Sequence, residues 1–152
     1  MDFWDAVYLY NPILTRTTIN YADKLTLVNE YLYKHFTGFK GKKYIWPIGI
    51  NLDNYIVKES YSFEDEIKLV WTGGPWNLKQ IKLLTPVLQK LSGKFPIALL
   101  FICKETIEIE GVKIIHHQWK EETFFKLLHN ADIGIYHAPD TEEHRGKLAM
   151  KV

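Results

Sequence analysis

The sequence predicts an α/β protein built on a Rossmann-like parallel sheet with flanking helices. From residue 66 onward, predicted strands alternate with predicted helices. The strands are continuous apolar runs, such as "IALLFIC" at 97–103, and such runs are typical of parallel strands that are buried on both faces. Because ligands of these sheets bind beyond the carboxyl ends of the strands, we expect the site in the loops after residues 72, 103, 117 and 137.

The first third of the chain predicts fewer elements and one boundary. A strand is expected over 23–29, a helix over 30–36 and a strand over 43–50. Residues 51–65 are polar and irregular, as a connector would be. The predicted organisation is therefore a first segment at 1–52, a connector at 53–65 and a Rossmann-like domain at 66–152.

The remaining elements follow from apolar runs and helical spacing. Strands are predicted at 67–73, 97–103, 112–117 and 132–137, and helices at 77–91 and 120–130. Asn77 is a good N-cap for the first helix, and Pro86 predicts a kink or a restart capped by Thr85. After a loop over 138–146, the spacing of Leu148 and Val152 predicts the start of an amphipathic helix over 144–152.

Composition limits the classes of protein that fit. The chain has 152 residues, 47% of them apolar, and a net charge of +1, which gives no general attraction to nucleic acid or anionic membranes. The single cysteine, Cys103, excludes an internal disulfide framework and suits a reducing compartment. We find no apolar run of about 18–20 residues and no signal peptide, so we expect a cytoplasmic protein, with peripheral membrane contact left open.

Two clusters could bind phosphate. The loop "TGGPWN" at 72–77 places Gly73 and Gly74 between a strand and a helix N-terminus, which suits a diphosphate but equally suits a tight turn. It has neither G-x-G-x-x-G spacing nor a Walker lysine. The basic side chains of Arg145, Lys147 and Lys151 would oppose a helix dipole unless an anion were bound. A solvated surface is the alternative for this cluster, and Gly146 would either admit a ligand or punctuate a loop.

The other polar and aromatic residues give weaker indications. Trp119 lies in a strand-to-helix loop at the expected ligand edge, where it would contact a nucleobase or pack in the core. Asp132 and Asp140 could be polar ligand contacts, and Asp132 could instead form a turn. The six histidines show no recognisable ligand spacing, so we expect no metal site. Cys103 is interpreted as a core residue.

Four segments together resemble the C-terminal half of GT-B glycosyltransferases of the large retaining class called family 4, or glycosyl transferases group 1. They are "ADKLTLVNEYLYKHF", "KKYIWPIGINLDNY", "LVWTGGPWNLKQIKLLTPVLQKL" and "HQWKEETFFKLLHNADIGIYHAPDTEEHRGKLAMK". The last is the most specific, because it is similar to the stretch of that family that ends in R-G-K-x-x-x-K. The resemblance covers about residues 21–152 and implies a partial GT-B C-terminal domain. It implies that residues 1–52 are a remnant of the N-terminal domain with the interdomain crossover, and that residues 66–152 are a nucleotide-sugar-binding domain truncated at its C-terminus.

The resemblance implies a set of site residues. Gly73 and Gly74 would face the donor diphosphate, with Lys79 as a candidate for the phosphate-facing lysine; Arg145, Gly146, Lys147 and Lys151 belong to the stretch leading into the donor-binding helix. Gln118 and Trp119 would lie near the base, and His137 and Asp140 near the sugar. No catalytic residue is assigned, because the family's pair of glutamates spaced eight apart is not visible. Tyr136-His137-Ala138 also replaces the family's usual Met-Pro-Leu.

The function that the resemblance implies is transfer of a sugar from a nucleotide diphosphate sugar to an acceptor, without a metal ion or other cofactor. Since the N-terminal acceptor domain is nearly all missing, we expect the isolated chain to be inactive. The alternatives are a non-catalytic nucleotide-binding Rossmann-like module and the inactive product of a truncated gene. The sequence leaves the sugar, the base, the acceptor and the stereochemical outcome undetermined.

Overall fold

The computed structural model describes residues 1–47, 49–60, 62 and 65–147, and the chain forms two compact units. The first unit comprises Met1–Ile50 and the described part of Ala138–Val152, and the second comprises Asn51–His137. Each unit contains a parallel sheet with flanking helices. The predicted α/β fold class is confirmed, whereas the domain limits given from the sequence stay a prediction.

The first unit holds a three-stranded parallel sheet, in the order β1-β2-β3. Its strands are β1 (Asp2–Phe3), β2 (Lys24–Leu27) and β3 (Lys42–Ile45), and its helices are α1 (Pro12–Asn20), α2 (Glu30–His35) and α6 (Glu142–Arg145), with elements numbered in chain order. The predicted strand at 23–29 and helix at 30–36 are confirmed. The strand predicted at 43–50 ends earlier, at Ile45, just before Trp46 and Pro47, and a proline has no N–H to donate to a ladder. Ile48 lies outside the described residues.

Only one face of the first sheet carries a core. Leu25 and Leu27 of β2 are fully buried and pack with Phe3, Leu32 and Phe36. The intervening Thr26 is half-buried, because successive side chains of a strand point to opposite faces. Among the described residues, the buried core of this sheet therefore lies on one face, and the other face carries more exposed side chains.

The second unit holds a four-stranded parallel sheet, in the order β6-β5-β4-β7. Its strands are β4 (Ile67–Thr72), β5 (Ile97–Ile102), β6 (Lys113–His117) and β7 (Ile133–Gly134), and its helices are α3 (Leu78–Leu83), α4 (Thr85–Ser92) and α5 (Glu121–His129). Three of the predicted strands are confirmed almost to the residue. The fourth, predicted at 132–137, pairs over two residues only.

Both faces of the second sheet are covered. On one face Trp71, Leu99 and Phe101 pack against Ile81 of α3 and Leu88 of α4. On the other face the buried residues Val70, Leu100, Ile102 and Ala131 pack together with partly buried side chains of α5. All six residues of β5 are consequently buried, as its unbroken apolar sequence predicts.

The helix predicted over 77–91 is divided as its proline indicates. α3 ends at Leu83, and α4 begins at Thr85 with Pro86 in its first turn, where the missing N–H breaks no intrahelical bond. The predicted restart is confirmed, but Thr85 as its cap is wrong, because Leu84 holds the N-cap position and gives no capping bond. Asn77 occupies the N-cap of α3, although its side chain makes no capping hydrogen bond.

The helix start predicted at residue 144 is wrong in the part that the structure describes. α6 begins earlier, at Glu142, where the Thr141 hydroxyl accepts a hydrogen bond from the backbone N–H of His144 at 3.3 Å. α6 ends at Arg145, with Gly146 as its C-cap, so Arg145 lies in the last turn, where a cation is favourable to the helix dipole. Residues 148–152, including Leu148, Lys151 and Val152, lie outside the described residues.

Within the part of the chain that the structure describes, no helix is both long enough and apolar enough to span a membrane.

Candidate functional site

The strand order of the second sheet defines one position where a ligand is expected. The chain proceeds from β4 outward through β5 to β6 and then returns to place β7 on the opposite side of β4. This reversal makes the junction of β4 and β7 a topological switch point, and the crevice beyond the carboxyl ends of these two strands is the usual ligand position in such sheets. The loops beginning at Gly73 and Ile135 lie at that edge.

The two glycines of the first loop have a steric role. A side chain on Gly73 would come within 2.7 Å of the Trp71 ring, and one on Gly74 within 2.4 Å of the Trp76 ring. The Gly73 N–H also donates to the Ile102 carbonyl at 3.3 Å. Close packing of indole rings therefore accounts for both glycines, and one of the two N–H groups is already engaged within the sheet.

Lys79 projects from the first turn of α3 in the same unit. Its side chain is exposed, and no described residue forms an ion pair or a hydrogen bond with its ammonium group. Lys79 is thus a cation without a partner among the described residues, close in sequence to the glycine loop.

The terminal basic cluster belongs to the first unit, and its described members are paired with carboxylates. Arg145 donates from Nε to Asp140 Oδ1 at 2.5 Å and from Nη2 to Asp140 Oδ2 at 2.7 Å. These bonds lower the pKa of Asp140 and raise the pKa of Arg145. Lys147 Nζ lies 3.0 Å from Glu143 Oε1. A phosphate bound here would compete with both carboxylates.

Gly146 and Asn29 hold this segment in place. A side chain on Gly146 would come within 2.6 Å of the Ala6 Cβ, so glycine permits close packing between the two chain segments. The Asn29 amide donates to the carbonyls of Arg145 and Lys147 at 3.1 Å each, while its oxygen caps α2 by accepting from the Leu32 N–H at 3.0 Å. The bonds from the Asn29 amide to these two carbonyls could not be predicted from the sequence, because the partners are 116 and 118 residues away.

The predicted base region follows β6 and adjoins a cleft. Gln118 lines a cavity of about 550 Å³ between the end of β6 and α5, together with Lys120 and Lys126 and without an acidic side chain. Trp119 is 54% exposed, and its ring centroid lies 6.2 Å from that of Phe124. The indole is therefore not a core residue, and the cleft carries the positive charge that an anionic ligand needs.

The structure divides the predicted site residues between the two units. The second unit contains Gly73, Gly74, Lys79, Gln118, Trp119 and His137, and the first contains Asp140, Arg145, Gly146 and Lys147. Lys151 lies outside the described residues. Each group is described within its own unit.

Asp132 belongs to the opposite edge of the second sheet. It immediately precedes β7, accepts from Lys58 Nζ at 2.6 Å and accepts from the Lys68 N–H at 2.8 Å. The hydrogen bond from Lys58, followed by that from Lys68, lowers the pKa of Asp132. Its role is to join the amino ends of β4 and β7, with a lysine from the predicted connector that the sequence did not single out.

Among the described residues, no group of three or more His, Cys, Asp or Glu side chains is arranged to hold a metal ion. Cys103 is buried, as expected for a core residue, and its carbonyl lies 3.0 Å from Nε2 of His116.

Comparison of the chain with protein-family models, with curated proteins and with solved structures finds no match. The resemblance to GT-B glycosyltransferases therefore rests on the sequence segments quoted above and stays a hypothesis.

Proposed function

We propose that this chain is the donor-binding part of a GT-B glycosyltransferase of family 4, which holds a nucleotide diphosphate sugar at the carboxyl edge of its second sheet. The observation that carries the proposal is the strand order β6-β5-β4-β7, with its switch point between β4 and β7. A cytoplasmic location is part of the proposal, in keeping with a single buried cysteine.

The charges of the second unit support an anionic ligand. Lys120 and Lys126 line the cleft beside Gln118, and Lys79, near the glycine loop, has no ion-pair partner among the residues that the structure describes. In the proposed arrangement the base lies towards Gln118 and Trp119, and the diphosphate lies towards Gly74 and Lys79. The Gly73 N–H is engaged with Ile102, which leaves the lysine side chain as the main source of charge in this loop.

The proposed chemistry is electrostatic. When the sugar is transferred, the bond between the sugar and the terminal phosphate oxygen breaks, and that oxygen gains negative charge. Cations fixed near this oxygen lower the energy of the transition state. An acceptor must also be held in near-attack geometry. The acceptor is not identified by this proposal, and neither a metal ion nor another cofactor is invoked for it.

Isothermal titration calorimetry with the purified chain tests the proposal. UDP-glucose, GDP-mannose and ADP-glucose are compared with the corresponding free diphosphates and with inorganic pyrophosphate. We expect one base to be preferred and the affinity to change when the sugar is removed. Absence of binding by all six nucleotides at millimolar concentration would refute the proposal.

A matched pair of variants connects the binding to the proposed loop. Lys79 and Lys82 are both exposed lysines of α3. Lys79→Gln removes a charge-assisted contact worth about 1.5–3 kcal/mol, so we expect the dissociation constant to rise by roughly tenfold or more. Lys82→Gln is the control and should leave it unchanged. Equal effects of the two substitutions would indicate general charge attraction and contradict the assignment of Lys79.

A nucleotide-binding module without catalysis is the second candidate, favoured by the pairing of Arg145 with Asp140 and of Lys147 with Glu143. In that case the same titration should show equal affinity for a nucleoside diphosphate and its sugar. Arg145→Gln would then leave the affinity for the nucleotide unchanged. If Arg145 instead binds the donor, the substitution should lower that affinity.

A further inference from the structure

A small cleft at the carboxyl edge of the first sheet has no role in the proposed function. It has a volume of about 330 Å³, and its walls include the indoles of Trp4 and Trp46, which are 61% and 67% exposed. Asp2 and Thr26, a register pair that joins β1 to β2, also line the cleft. The cleft belongs entirely to the first unit.

The sheet register brings these four side chains to one face. Phe3 points into the core, so Asp2 and Trp4 on either side of it point to the opposite face. Thr26 is paired with Tyr44 of β3, and Trp46 lies two residues beyond Tyr44. The Trp46 N–H donates to the Leu27 carbonyl at 2.8 Å, which fixes its backbone beside β2.

The lining of the cleft carries a negative charge. Among the described residues that line it, Asp2 is the only one with an ionisable side chain. The Asp2 carboxylate accepts a hydrogen bond from the Thr26 hydroxyl, and no described residue forms an ion pair with it. Lys24 of β2 and Lys42 of β3 are register partners nearer the amino ends of these strands, and neither lines the cleft.

We propose that this cleft binds a small organic cation that carries a methylated ammonium group, such as choline. The faces of indole rings carry negative potential and attract cations, most strongly when the cation is poorly hydrated. A carboxylate in the same cleft supplies the opposite charge. The volume is at the lower end of the range for ligand sites, which suits a small ligand.

The hydrogen-bonding groups of the cleft favour this ligand over a neutral saccharide. A sugar ring presents several hydroxyl groups, each of which needs a partner when it leaves water. The lining side chains offer one carboxylate, one hydroxyl and two indole N–H groups, and the carboxylate and the hydroxyl are already bonded to each other. A methylated ammonium group needs few or no hydrogen-bond partners, because its methyl groups contact the aromatic rings directly.

The test uses the full chain, with tryptophan fluorescence and calorimetry as the two readouts. Binding of choline is compared with binding of its neutral isostere 3,3-dimethylbutan-1-ol and with binding of glucose, which represents a neutral saccharide. We expect choline to bind at least tenfold more tightly than either, since the isostere has the same shape and no charge. Equal binding of choline and the isostere, preferential binding of glucose, or no binding of choline at millimolar concentration would overturn the proposal.

Single substitutions locate the site. Trp4→Ala and Trp46→Ala should each weaken choline binding about tenfold, as expected for loss of one cation–π contact. Trp76→Ala is the control, because Trp76 is comparably exposed but belongs to the second unit. Asp2→Asn should weaken binding of choline without affecting that of the isostere. The unfolding transition of each variant is measured alongside, and well-folded variants at Trp4 and Trp46 that bind choline normally would refute the assignment.

Discussion

Both sheets of this chain are parallel, and they differ in how far helices and side chains cover their faces. In the second unit β5 is buried along its whole length, whereas in the first unit β2 alternates between buried leucines and more exposed polar residues. The difference lies in the helices, which cover both faces of the second sheet. A sheet covered on both faces requires apolar side chains at successive positions, and a sheet with one apolar face requires them at alternate positions only.

This difference also separates the two candidate sites. The second sheet has its switch point between β4 and β7, and the proposed nucleotide site uses the loops at its carboxyl edge. The first sheet has sequential strand order and no such reversal. On the face opposite its core, the first sheet instead carries exposed indoles beside a carboxylate, which the proposed cation site uses.

The largest expected effect tests coverage directly. Leu100 of β5 is buried against the core on the α5 side of the sheet, so Leu100→Ala should lower the free energy of unfolding by about 2–5 kcal/mol through loss of packing and a residual cavity. Thr26→Ala, at an interior position of β2, should lower the free energy of unfolding by less than about 1.5 kcal/mol, mainly through loss of the hydrogen bond to Asp2. Urea denaturation followed by circular dichroism measures both. Similar losses would show that the two sheets are equally covered.

Packing of the first unit is tested at Gly146. Gly146→Ala places a methyl group against the Ala6 Cβ and should destabilise the unit by about 1–3 kcal/mol. Gly38→Ala is the control, because a side chain there meets no atom within 4 Å. The double variant with Ala6→Gly should recover part of the loss. An unchanged melting temperature in Gly146→Ala would contradict the close packing of these two segments.

The amino edge of the second sheet should respond to acid. Because the pKa of Asp132 is lowered in the folded state, its carboxylate stabilises the protein above its ordinary pKa of 3.8, and this contribution is lost as the pH falls below that value. Asp132→Asn should therefore cost about 1–2 kcal/mol at pH 7, by weakening the bonds from Lys58 and Lys68. Urea titrations from pH 7 to pH 2.5 measure the effect. The difference between the variant and the wild type should shrink with acidification, and a constant difference would exclude this origin.

The smallest expected effect compares helix caps in the two units. Asn29→Ala should cost about 1 kcal/mol or somewhat more, because the asparagine caps α2 and also binds the segment after α6. Asn77→Ala should cost little, since the Asn77 side chain makes no capping bond. Thermal unfolding followed by circular dichroism is the measurement. An Asn77→Ala loss as large as that of Asn29→Ala would show that Asn77 caps α3 in solution.

Local chemistry made much of the fold predictable. The apolar run at 97–103 indicated a fully buried strand, and Pro86 indicated where one helix ends and the next begins, because both signals act within a few residues. The short β7 and the early α6 were not anticipated. Each depends on distant partners, since β7 needs β4 for pairing and the segment after α6 packs on Ala6 and is hydrogen-bonded by Asn29.

The sequence by itself determined the α/β class, the parallel strands and the residue types available for an anion site. Only the tertiary structure decided the roles of particular residues. Gly73 and Gly74 make room for tryptophan rings, Arg145 is paired with Asp140, and Asp132 binds Lys58 at the edge opposite the expected site. The physical reason is that hydrophobic periodicity is a property of neighbouring residues in the chain. The partner of a charged side chain, and the atoms that lie against a glycine, are set by which distant segments the fold brings into contact.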